Sequence, residues 1–207
     1  QDVFLPAGWL ACLRTALAHL AAQDPLWGVL GIYGVTADGQ SRGWTYSTGL
    51  GRELGGPFAA PEPVRTLDEL LLVIRRDSGL SFDESLPGFH LYGTDVCLAA
   101  EQRGLRNYVI PAFALHNSNG LHTLPWAFWR ACGHVQRTRR ACLPVQTPCV
   151  YLPSSRLGLM GRMLGSRLRG WHRARRVGRR VADPAALYQQ LVRAGQITAG
   201  TSSGDGG

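Results

Sequence analysis

Apolar residues in the first part of the chain recur with two periods. Trp9, Leu10, Leu13, Leu17 and Leu20 return every three or four positions and Asp24-Pro25 ends the run, so the spacing predicts an amphipathic helix over roughly residues 7–22. Trp27 to Val35 (WGVLGIYGV) is apolar at both parities, as a strand buried on both faces must be. Asp38-Gly39 is a turn signal leading into Gly43-Trp44-Thr45-Tyr46, and the Gly- and Pro-rich residues 47–63 read as a loop. Further on, Leu70 to Arg76 reads as a strand, Thr94 to Arg103 as a helix closed by Gly104, and Tyr108 to Leu115 as a strand. A helix over residues 125–140, carrying Trp126, Phe128, Trp129 and Val135, closes this part. Strands alternating with helices predict an α/β sheet flanked by helices.

Beyond Pro153 the pattern changes character. Arginines from Arg156 to Arg180 are interleaved with Leu157, Leu159, Met160, Met163, Leu164, Leu168 and Trp171, which predicts a basic amphipathic helix. Asp183-Pro184 caps a short helix that stops at Gly195. The expected organisation is a domain over residues 1–150, a basic helical extension over 154–195 and a disordered tail over 196–207.

A chain of 207 residues with 45% hydrophobic content buries one sizeable core. Its charge is uneven. Residues 1–136 hold 9 Arg against 12 acids, whereas residues 137–193 hold 13 Arg against Asp183 alone. All 22 basic residues are Arg, which with the Ala, Gly and Leu richness reads as coding bias more than as a recognition surface. Five cysteines without CxxC spacing argue against a disulfide framework and fit a reducing cytoplasm. No apolar stretch approaches the ~18–20 residues that span a bilayer, so the expected location is cytoplasmic, with peripheral contact at the inner membrane face as an option.

Three residues stand where chemistry is usually found. Thr94 reads as an N-cap and Asp95 as the acid of that helix start, where the helix dipole favours its ionised form. His116 ends an apolar strand, and Asp2 precedes the first helix. Each also has a plain structural reading: Asp95 complementing its own helix, His116 donating to a backbone carbonyl, Asp2 capping. His90 and Tyr92 alternate in LPGFHLYGT before Asp95, Gly93 lets backbone approach closely, and Trp44 offers either an aromatic platform or core packing.

The stretch FDESLPGFHLYGTDVCLAA, the later HNS and the opening QDVFLPAGW resemble GT-A-fold, family 2-like glycosyltransferases over about residues 1–150. The resemblance implies a Rossmann-like sheet whose first, nucleotide-binding part would precede Gln1, leaving the acceptor-side half here. It implies transfer of a sugar from a nucleotide-sugar donor to a saccharide or lipid-linked acceptor hydroxyl, with inversion and with Mn²⁺ or Mg²⁺ as cofactor. Under it Asp95 is the base, Asp2 and His116 are metal ligands, and His90, Tyr92, Gly93, Thr94 and Trp44 contact substrate. Thr94 stands where the family has Glu, and only one acid of the usual metal-binding pair is present at Gln1-Asp2.

The Arg-rich segment admits three readings: a helix on anionic lipid, a solvated or packed face, and a nucleic-acid contact, the last least favoured because its apolar residues follow a helical face instead of base stacking. The alternative to a transferase is a basic nucleic-acid-binding module on an α/β core, with Asp95 and His116 structural.

Overall fold

The two apolar runs that read as single strands each bend and pass from one sheet to another. In the computed structural model, which describes residues 2–120, 123–173 and 178–198, the elements are β1 (Val3–Phe4), α1 (Trp9–Gln23), β2 (Trp27–Gly31), β3 (Tyr33–Val35), β4 (Ser41–Ser47), β5 (Arg52–Gly55), β6 (Glu62–Val64), β7 (Thr66–Leu67), β8 (Leu72–Ile74), α2 (Tyr92–Gln102), β9 (Arg106–Val109), β10 (Ala114–His116), α3 (Trp126–Thr138), β11 (Val145–Gln146), β12 (Tyr151–Leu152), α4 (Arg156–Arg173) and α5 (Pro184–Arg193). One sheet has the order β1-β10-β4-β3-β7 with β5 added on β4, and a second has the order β6-β9-β2-β8. β2 and β9 run parallel, as do β4 and β10. The chain is thus mixed α/β, with parallel pairs at its centre.

The bends follow from what each strand finds to pair with. β2 bonds to β8 and β9, but from Tyr33 onward the same chain bonds to β4 and β7. The run from Arg106 to His116 does likewise, leaving β2 at Val109 and joining β4 at Ala114. At the first bend β4 passes so close that a Cβ on Gly43, whose φ is 123°, would stand 2.0 Å from the Ile32 carbonyl oxygen; only glycine fits there.

Side-chain parity then sets the layers. Leu30, Ile32, Tyr108 and Ile110 bury against Trp9, Cys12, Ala16 and Leu20 of α1, whereas Val29 and Val109 bury against Val96, Cys97 and Ala100 of α2. Asp24 at the end of α1 accepts from the Tyr108 hydroxyl and pairs with Arg106 at 2.8 Å, which fixes α1 on β9. α3 and the inner side of α4 pack on the far side of α2, and α5 covers Trp44, Phe113 and Leu115.

Several expectations are corrected. Residues 47–63 are not simply a loop, because β5 and β6 lie within them. The strand expected over 70–76 is shorter, Leu72–Ile74. Among the described residues the basic helix runs over Arg156–Arg173, and Gly178–Arg180 are not helical. Asp183 does cap the last helix, accepting from the Ala185 and Ala186 amides at 3.0 and 2.9 Å. The tail from residue 199 lies outside the described residues.

Candidate functional site

Two acidic positions lie at strand ends, one where β7 ends level with the start of β4 and one where β4 and β10 end together. The first is the consecutive pair Asp68–Glu69. The chain leaves β7 at Leu67, the Asp68 amide donates to the Tyr33 carbonyl at 2.8 Å, and Leu72 then pairs with Gly31. Residues 68–71 therefore cross the carboxyl end of β2, which is where open α/β sheets place ligands.

Helix α2 begins directly against this crossing. Leu91, buried, takes a left-handed conformation with φ 63° just before the helix, a costly state for a bulky side chain and one that clusters at functional sites. It turns the chain so that the first turn of α2 faces Glu69. The Gly93 amide donates to Glu69 Oε1 at 3.3 Å and the Tyr92 hydroxyl donates to the Glu69 carbonyl at 3.0 Å. A Cβ on Gly93 would lie 2.9 Å from the Leu67 carbonyl oxygen, so the close approach its lack of side chain permits is that of helix to strand.

Burial pushes both carboxyls of the pair above the usual carboxylate range, and the charge of Asp68 raises Glu69 further. The Tyr92 hydroxyl is raised too, by burial and then by Glu69 and Asp68. A largely buried carboxyl with a raised pKa, held by a helix start, is suited to exchange a proton with a bound hydroxyl.

The second position is Asp2 with His116. β1 pairs antiparallel with β10 so that Val3 faces His116, and the Asn117 amide donates to the Asp2 carbonyl at 2.6 Å. Burial holds the half-buried His116 imidazole below its usual pKa, and Asp2 opposes this. The segment 178–181 lies over this end: Gly178 donates to Gly49 at 3.0 Å, Asn117 exchanges two 2.9 Å bonds with Val181, and the Arg180 guanidinium reaches Asp2 Oδ1 at 2.5 Å. For a divalent cation these residues supply one carboxylate and one imidazole, and that carboxylate already carries a guanidinium. No group of three or more His, Cys, Asp or Glu that would hold a metal occurs among the described residues. Asp2 and His116 do not by themselves make up a metal site.

The remaining expected site residues are placed otherwise. α2 starts at Tyr92, two residues before Thr94, so Thr94 is inside the helix instead of capping it, and its hydroxyl is buried without a hydrogen-bond partner among the described residues. Asp95 is 1% exposed, and both of its oxygens are taken by Arg139 at 2.8 and 2.9 Å; the pair ties α2 to the end of α3. His90 rests edge-on against Phe128. Trp44 is 5% exposed, stands edge-on to Phe113, and donates from Nε1 to Glu53 at 2.6 Å; it is a core side chain. Asp83, not among the expected site residues, fixes its loop to α3 through His134 at 2.8 Å, and hydrogen bonds from Ser85 and then His134 hold its carboxyl down at about 2.

The structure thus brings Asp2 beside His116 and brings Tyr92 and Gly93 to Glu69, while Asp95 stands apart in its ion pair. Asp68 and Glu69 were not singled out in the sequence. Their only signal is two consecutive acids set directly before the apolar run LLLVI.

No protein-family description matches the chain. A protein of Fuscovulum blasticum named "ATP synthase subunits region ORF 6" is 35% identical over 126 residues, which make up 56% of this chain and 48% of that protein. The chain therefore spans about half the length of this relative.

Proposed function

We infer that the chain acts as a GT-A-type glycosyltransferase that moves a sugar from a nucleotide-sugar donor to an acceptor hydroxyl. The observation that carries this reading is Glu69: a half-buried carboxyl with a raised pKa, at the carboxyl end of a parallel strand and against a helix start formed by Tyr92 and Gly93. The base assigned by resemblance to Asp95 passes in this reading to Glu69, because Asp95 is buried and neutralised by the Arg139 fork, out of reach of an acceptor. Glu69 takes the proton of the acceptor hydroxyl as its oxygen bonds to the anomeric carbon, the bond from that carbon to the diphosphate oxygen breaks on the opposite face, and the configuration inverts. Asp68 keeps Glu69 basic enough to do so. The motif resemblance and the α/β architecture support the same reading.

The test is a screen of nucleotide-sugars against mixed saccharide and lipid-linked acceptors, read by mass spectrometry for product, with Glu69→Gln and Asp95→Asn in parallel. Transfer that Glu69→Gln lowers by about 10² or more supports the reading. Full turnover in Glu69→Gln removes Glu69 as the base, and duplex DNA binding without any transfer would favour the basic-module alternative.

A further inference from the structure

Helix α4 shows two opposite faces. Its inner side sets Leu159 and Met163, partly buried, against the cluster formed by α2 and α3. Its outer side carries Leu157, Met160, Leu164 and Leu168, which are 81%, 55%, 57% and 69% exposed. Steps of three and four residues place all four on one stripe less than a quarter of the circumference wide. Arg156 and Arg167, both exposed, border that stripe on one side, and on the other Gly161 opens onto empty space. No Asp or Glu occurs anywhere between Glu101 and Asp183.

An exposed aliphatic row of this length costs free energy in water and needs a cover. Nucleic acid would use the arginines and leave the row wet. A second acidic protein would meet few apolar partners for its charge. A bilayer surface with anionic lipid suits both halves: the row enters the acyl boundary while the arginines reach the phosphates along their own methylene stems. We propose that the outer face of α4 docks this protein onto an anionic membrane surface, lying in its plane. No helix among the described residues is long and apolar enough to cross a membrane, so the attachment is to one leaflet and is reversible by salt. This proposal does not depend on the transferase reading.

The test is flotation of the full chain with vesicles of neutral phosphatidylcholine and with vesicles containing about a third phosphatidylglycerol. Expected is binding to the anionic vesicles that weakens as salt rises through the range where the Debye length falls below about 8 Å. Leu157→Glu with Leu164→Glu should lower that binding about a hundredfold, about tenfold for each buried leucine lost, with circular dichroism unchanged because both sites face solvent. Arg156→Gln with Arg167→Gln should flatten the salt dependence while leaving residual binding. The proposal is overturned if the double Glu variant binds vesicles like the wild type, or if the wild type binds neither vesicle. It also fails if duplex DNA binds more tightly and is indifferent to the leucines, or if the leucines instead hold a dimer that light scattering detects and vesicles do not disturb.

Discussion

Arg139 holds Asp95 with two parallel hydrogen bonds, Nε to Oδ1 at 2.8 Å and Nη2 to Oδ2 at 2.9 Å, and a third bond carries the same guanidinium to Gln102 at 3.0 Å. Two helices are joined by one planar fork. Breaking a buried pair from one side leaves the other charge uncompensated and costs about 3–5 kcal/mol. Asp95→Asn and Arg139→Gln should therefore each lower the urea midpoint strongly, and the double variant should lose less than the sum. Unchanged stability in Asp95→Asn together with lost transfer would return the base to Asp95.

Gly93 is tested by Gly93→Ala. In a free helix position this change gains up to about 1 kcal/mol. Here the new methyl meets the Leu67 carbonyl, which belongs to a strand and does not yield. A net loss of about 1–3 kcal/mol is expected from overpacking, measured by urea unfolding, with a disturbed Glu69 as a further effect.

Glu69 gives a pH dependence whose sign follows from its raised pKa. Burial and Asp68 push it up to about 8, so the folded state keeps a proton that the unfolded chain has released. Stability should fall as pH rises from the ordinary carboxylate range near 4.3 toward 8. Glu69→Gln should flatten that fall in thermal melts between pH 5 and pH 8. Any transfer rate should climb over the upper part of the same range, as the base form appears.

Arg180 and a divalent cation compete for Asp2. Free Mn²⁺ measured by electron paramagnetic resonance should show weak binding to the wild type and several-fold tighter binding to Arg180→Gln. Stability should change by less than about 1 kcal/mol, since the pair is exposed on both sides. Equal Mn²⁺ binding in the two proteins would show that the guanidinium does not occupy the cation position.

Much of the helical architecture was readable because each helix has two unlike faces. The row Trp9, Leu13, Leu17 and Leu20, the aromatic group at Trp126 to Trp129 and the Asp183-Pro184 cap all mark their elements. The strands hid their breaks. Ile32 and Ile110 are as apolar as their neighbours, and a residue at a bend between two sheets is as buried as one inside a strand. Thr94-Asp95 imitates a cap because Thr and Asp suit that place, whereas the real helix start depends on a left-handed Leu91 that no propensity favours. Glu69 was hidden for a related reason: its raised proton affinity comes first from burial where the chain crosses the end of β2, which distant parts of the chain set, and only then from its neighbour Asp68.

The paired bends at Ile32 and at residues 110–113 bear on where this molecule tolerates a cut. Two neighbouring strand runs leave one sheet and join the other side by side, sealed beneath α1. Neither sheet is a separable piece, and a nick or an inserted tag at either bend would unstitch both at once. Limited proteolysis should spare this seam and cut in an exposed loop such as the one before α2, where Phe89 is 91% exposed.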